Sequence, residues 1–206
     1  MTPDPVVHLV DDDLAVRQSL AFLLTSAGFA VRTYESAARF LDALAAVQPG
    51  CVVTDVRMPG LSGLELQREL VDRRINLPVI VMTGHGDVPL AVAAMKAGAV
   101  DFIEKPFSDE LMISAIHAAF DRYASDAKAR DEAGAAQARL SSLSQREREV
   151  LEGLVAGQPN KVVAYALGIS ARTVEVHRAN LMAKMGAGSL PELVRMVLRT
   201  RAPGWQ

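Results

Sequence analysis

The feature that most constrains this chain is a fivefold alternation of short β-branched runs with longer helical patterns, confined to the first 124 residues. The segments 6–10 (VVHLV), 29–34 (FAVRTY), 51–56 (CVVTDV), 78–83 (PVIVMT) and 100–105 (VDFIEK) read as strands. Three of them are nearly continuous apolar runs, the pattern of parallel strands covered on both faces. Helical patterns fill the intervals 14–27, 36–47, 64–73, 88–97 and 108–123. Ser36 and Ser108 are placed as N-caps, Gly28 and Gly98 as stops. Repeated strand-then-helix units predict a doubly wound, five-stranded parallel α/β sheet over residues 1–124.

Beyond Ser144 the strands vanish. Helices are predicted over 144–156, 160–167, 171–185 and 189–200, parted by Gly157, Gly168 and Gly186. Ser144 and Glu147 have capping-box spacing, and Ser170 and Ser189 are placed to cap the last two helices. Residues 143–206 therefore form a small all-α domain. The intervening 125–142 reads as a linker. Its alanines favour extension of the fifth helix; a flexible tether is the alternative, because an isolated helix of that length is marginal in water.

Charge divides the same way. Residues 1–124 carry a net −6, residues 125–142 are neutral and residues 143–206 carry +4, although the whole 206-residue chain is only −2. An acidic front and a basic back imply different partners for the two modules. No uncharged apolar run approaches the roughly 18 residues of a membrane span, and the N-terminus lacks the pattern of a signal peptide. The single cysteine, Cys51, reads as a small buried hydrophobe, and no Cys/His pair has zinc-ligand spacing. A cytoplasmic, reducing location follows as the expectation.

Chemistry gathers at the strand ends. Asp11, Asp12 and Asp13 follow the first strand, Asp55 ends the third, Thr83 the fourth and Lys105 the fifth. Ligands of open α/β sheets bind beyond the carboxyl ends of the strands, so these groups are predicted to share one crevice. Clustered carboxylates call for a cation, and Mg²⁺ accepts oxygen ligands while taking only one or two carboxylates. With the metal and Lys105 to neutralise charge, Asp55 could accept a phosphoryl group as an aspartyl phosphate.

The DDD run, TDVRMPGLSGLEL, IVMTGHGD and FIEKPF resemble the flavodoxin-like receiver domain of two-component response regulators, over residues 6–123. The resemblance implies that Asp55 is the phosphorylated residue. Mg²⁺ would be held by Asp11, Asp12, Asp55 and the backbone carbonyl of Arg57. Thr83 and Lys105 would bind the phosphoryl group, and Lys105–Pro106 would be cis. Asp13 has no family role and reads as a helix cap. Phe102 stands at the family's aromatic switch position, where it would turn inward as Thr83 moves. The face bearing Val92, Lys96 and Asp101 would then dimerise.

The segment LSQREREVLEGLVAGQPNKVVAYALGISARTVEVHRANLMAKMG resembles the LuxR-type helix-turn-helix, over residues 143–200. Gly168–Ser170 supplies the short turn, and the helix after it would enter the major groove. Val174, Leu181 and Met185 fall at core spacing. Glu175, Val176 and Ala179 are placed to meet base edges, and Lys161, Thr173, Arg178 and Lys184 to meet phosphates. His177 fits either a phosphate contact or a role bracing the helix. The family often carries basic residues where Glu175 and Ala179 stand, so dimerisation must contribute to affinity.

The two modules together imply a phosphorylation-activated transcription factor rather than an enzyme. Its partners would be a sensor histidine kinase, promoter DNA, a second copy of the chain and RNA polymerase, with no membrane. The alternative is a small Mg²⁺-dependent phosphatase or hydrolase using the same acidic pocket. The FixJ subgroup is the nearest resemblance, resting on MTGHGDVPLAVAAMKAGAVDFIEKPF together with SARTVEVHRAN, and it implies activation of nitrogen-fixation or microaerobic genes.

Overall fold

A computed structural model describes residues 4–84 and 88–200. The chain divides into two compact units, one running to Asp126 and the other starting at Ala127.

The first unit is a five-stranded parallel sheet in the order β2-β1-β3-β4-β5, formed by β1 (Val6–Val10), β2 (Ala30–Tyr34), β3 (Gly50–Asp55), β4 (Val79–Thr83) and β5 (Asp101–Glu104). Helices α1 (Leu14–Ser26), α2 (Ala37–Asp42), α3 (Gly63–Asp72) and α4 (Val88–Lys96) connect them, and α5 (Asp109–Ser141) follows β5. The expected second helix is shorter than its pattern and ends in a 3₁₀ turn, Leu44–Ala46.

All residues of β1, β3 and β4 are buried, because both sheet faces are covered. Alternation along each strand sends Val7, Leu9, Cys51, Val53, Ile80 and Met82 to one core with Leu20, Leu24, Met112 and Ile116. Val10, Val52, Val79 and Val81 go to the other, with Phe40, Leu66 and Leu70. Cys51 is wholly buried and its thiol is pushed up to about 12 by that burial. His8, also wholly buried, meets the Gln48 carbonyl at 2.9 Å through Nε2, and burial holds its pKa below the usual imidazole value.

In the second unit, α6 (Gln145–Val155), α7 (Asn160–Leu167), α8 (Ala171–Met185) and α9 (Leu190–Thr200) surround a core that includes Val150, Leu154, Val163, Val174, Leu181, Met185 and Leu193. The capping box of Ser144 and Glu147 is formed in full. Ser170 caps α8 by accepting from the Thr173 N–H at 3.1 Å. The segment expected as a linker is helical to Ser141, and the division between units falls inside that helix. Near its end Leu140 packs against the second core. No helix among the described residues is long and apolar enough to cross a membrane.

Candidate phosphoryl-transfer pocket and DNA-binding helix

The sheet order reverses between β1 and β3, the neighbours from which the chain winds outward in both directions, and a crevice opens there beyond the carboxyl ends of the strands. Asp11 follows β1 directly and Asp55 ends β3, so the crevice is flanked by two carboxylates. Lys105 joins them. Its Nζ donates to Asp55 Oδ1 at 2.6 Å and to Asp11 Oδ2 at 3.0 Å. A backbone hydrogen bond of 2.7 Å from the Lys105 N–H to the Thr83 carbonyl ties this residue to the end of β4, and the Lys105–Pro106 peptide is cis.

The second oxygen of Asp55 accepts from the backbone N–H of Arg57 at 2.7 Å. Asp11 Oδ1 accepts from the Asp13 N–H at 2.9 Å, while Arg17 Nη1 donates to the carbonyls of Asp11 and Asp12 at 2.7 and 2.9 Å. Asp13 faces the other way and caps α1, accepting from the N–H groups of Ala15 and Val16. Asp11 and Asp55 are thus each held by a backbone N–H two residues further along their own loops.

The charges are unequal. Two carboxylates meet one ammonium, leaving one negative charge in excess. Burial pushes the Asp11 carboxyl above its usual range; the Asp13 N–H and Lys105 oppose the shift and Asp55 adds to it. Burial works against the Lys105 ammonium, but Asp55 and Asp11 outweigh it and hold its pKa above the ordinary value. Among the described residues no three His, Cys, Asp or Glu side chains are gathered closely enough to hold a metal ion. Asp12 is exposed, and Lys105 occupies the centre of the two buried carboxylates.

One residue of the site had no chemical signal in the sequence. Gly63, the first residue of α3, lies against the end of β3: a Cβ there would stand 2.2 Å from the Asp55 carbonyl oxygen. Only a residue without a side chain lets α3 begin at that point.

Sequence comparison assigns both modules. The response regulator receiver domain profile matches residues 7–117, and that of bacterial regulatory proteins of the luxR family matches residues 141–197. The chain is 61% identical over 192 residues to the transcriptional regulatory protein FixJ of Azorhizobium caulinodans, covering 93% of this chain and 91% of that one. It is 59% identical to FixJ of Rhizobium meliloti, covering 95% and 96%.

The chain is a FixJ-type response regulator.

Solved structures agree. The response regulator StyR matches with a TM-score of 0.79 at 43% identity, over 95% of this chain and 99% of that one. Full-length FixJ of B. japonicum matches with a TM-score of 0.60 at 52% identity, over 97% and 98%.

Within this response regulator, Thr83 is buried at the end of β4. Phe102 is half-buried on β5, paired in register with Val81 and packed against the core that holds Phe40. Of the residues expected to dimerise, Val92 and Lys96 are exposed on α4. Asp101 is half-buried at the start of β5, one carboxylate oxygen accepting the Phe102 N–H at 2.8 Å. His85, Gly86 and Asp87 of the IVMTGHGD motif lie outside the described residues, as does Trp205.

In the helix-turn-helix, Val174, Leu181 and Met185 point into the core. Glu175, Val176 and Ala179 are exposed on α8, His177 and Arg178 are half-buried, and Lys161 is exposed at the start of α7. Two expected phosphate contacts are engaged within the domain. Lys184, whose side chain is 43% exposed, donates from Nζ to Glu147 Oε2 at 2.8 Å, and Glu147 is 4% exposed. A lysine that neutralises a buried carboxylate is part of the framework, because withdrawing it would strand that charge. Thr173 meets the capping Ser170, hydroxyl to hydroxyl, at 2.8 Å. Glu147 and Lys184 are 37 residues apart, and no sequence pattern pairs them.

Proposed function

We propose that Asp55 accepts a phosphoryl group from the phosphohistidine of a sensor histidine kinase, and that this controls promoter binding by the second unit. The bridge from Lys105 Nζ to Asp55 and Asp11 carries the reading. A carboxylate oxygen of Asp55 attacks phosphorus, a P–O bond forms, and the P–N bond to the kinase histidine breaks with its electron pair leaving on nitrogen. Lys105, already beside Asp55, neutralises charge on the transferring oxygens, and the Arg57 N–H fixes the other carboxylate oxygen in place.

The all-oxygen donor set and its excess negative charge fit a hard divalent cation. Asp11, Asp55 and the Arg57 carbonyl would hold Mg²⁺, with Asp12 turning in from its exposed position, and the ion would supply charge neutralisation at the phosphoryl oxygens. Thr83 then turns toward the phosphoryl group and Phe102 moves inward, a local change of charge biasing a two-state packing element. The face of α4 and β5, with Val92, Lys96 and Asp101, forms a homodimer. The DNA-binding unit is released to place Glu175, Val176 and Ala179 in the major groove, with Lys161 and Arg178 at phosphates. The relatives' name supports nitrogen-fixation or microaerobic genes as targets, with RNA polymerase as a further partner. No observation favours the hydrolase alternative.

Treatment with acetyl phosphate and Mg²⁺, followed by intact-mass and sedimentation measurements on one sample, tests this. The wild type should gain one phosphoryl unit and sediment as a dimer, and Asp55→Asn should do neither. Equal labelling of the variant at that mass, or an unlabelled wild type, refutes the assignment.

A further inference from the structure

Two cations tie down the carboxyl end of α8, one of them carried by the helix itself. Lys184 reaches back to Glu147 on α6, whose carboxylate is itself held by the Ser144 N–H at 2.7 Å. The second cation comes from α5. Arg139 Nη1 donates at 2.9 Å to the carbonyl of Met185, the last residue of α8. Its guanidinium lies over Gly186, where a Cβ would stand 3.3 Å from Nη1.

The last carbonyls of a helix lack partners within it and carry the negative end of the backbone dipole, so a guanidinium there is favoured electrostatically as well as by hydrogen bonding. Ser170 and the buried Val174 fix the other end of α8. Val174, Leu181 and Met185 pack that helix into the core, and the contacts of Lys184 and of the Met185 carbonyl add polar restraint at its carboxyl end.

Resting on the DNA-binding reading above, we propose that Arg139 is a positioning residue for DNA recognition. From α5 it anchors the carboxyl end of α8, so that Glu175, Val176 and Ala179 meet base edges in one orientation. The functional DNA-binding module then begins within α5, upstream of Leu143. Arg139 is an exposed residue, so its loss alters the aim of the helix more than the stability of the domain.

The test uses the full chain with acetyl phosphate and Mg²⁺. The wild type first selects a duplex from a random-sequence pool, and binding to that duplex and to a scrambled one is followed against salt. Arg139→Met should weaken the selected duplex about tenfold, the scale of one charge-assisted hydrogen bond. Because non-specific binding depends on charge and not on base contacts, the scrambled duplex should weaken by less than about twofold with its salt slope unchanged. Arg139→Lys, which keeps the charge and a donor, should recover part of the loss. Equal weakening of both duplexes with a salt slope lower by about one would make Arg139 a phosphate contact and overturn the proposal. Unchanged binding would overturn it too. Should Arg139→Met fail to fold, Arg139→Lys decides alone: a loss confined to the selected duplex supports the role, and no loss removes it. A wild type that selects no duplex sinks the DNA-binding reading itself, and this inference with it.

Discussion

Lys105→Met removes the ammonium that Asp11 and Asp55 share. At 2.6 and 3.0 Å the two contacts are each worth about 5–6 kcal/mol of attraction at an effective dielectric near 20. Much of that offsets the cost of burying the charges, so the deletion measures stranded carboxylates and not the sum of the contacts. Fully buried pairs broken in this way lose about 3–5 kcal/mol. The Lys105 side chain is 24% exposed while those of Asp11 and Asp55 are 2% and 12% exposed, so water replaces part of the interaction and about 2–3 kcal/mol is expected.

The loss must depend on pH in a definite direction. The Asp11 carboxyl already lies above its ordinary value, through burial, and losing Lys105 raises it further. A carboxyl whose folded pKa exceeds its unfolded one binds more protons when folded, so stability falls as pH rises through the interval between the two. The deficit of Lys105→Met should therefore be small at about pH 4 and complete at neutral pH, where no proton replaces the ammonium. Urea denaturation of the full chain in chelator, read by pulsed hydrogen exchange on β1 and β3 peptides, isolates this unit. A variant as stable as wild type at neutral pH, or one with equal deficits at both pH values, would refute the reasoning.

Gly63→Ala should cost about 1–3 kcal/mol of the same unit's stability, because the new Cβ would stand 2.2 Å from the Asp55 carbonyl. It should also slow acylphosphate formation, measured by intact mass, since relief requires moving α3 or Asp55. In the second unit, the hydrogen bonds from Lys184 and the Ser144 N–H pull the Glu147 carboxyl down to about 2. A depressed carboxyl contributes stability above its ordinary value of 4.5 that is lost as pH falls toward about 2. Hydrogen exchange on α6 and α8 peptides should show that loss in wild type and a flatter profile in Glu147→Gln; parallel profiles would mean that the pair with Lys184 contributes nothing.

The alternation of β-branched runs and helical stretches carries the sheet and its parallel sense, because strands buried on both faces must be apolar throughout, as VVHLV, CVVTDV and PVIVMT nearly are. Caps were equally legible: Ser36, Ser144 and Ser170 accept the N–H bonds that short polar side chains at helix starts are built to accept. The resemblance named Asp11, Asp55, Thr83 and Lys105, and the strand ends bring Asp11, Asp55 and Lys105 together. Helix ends were less legible, as at α2, since the last turn depends on what the chain packs against next.

By itself the sequence determined periodicity, capping and the kinds of chemical group available, all of which act over a few residues. Only the tertiary structure decided which distant charges pair. Lys105 meets Asp11 across 94 positions and Asp55 across 50, and Lys184 meets Glu147 across 37. Arg139 finds a helix end 46 residues away, and Gly63 is required by a neighbouring carbonyl and not by its own turn. The reason is that Coulombic and steric contacts depend on distance in space, which no local pattern encodes.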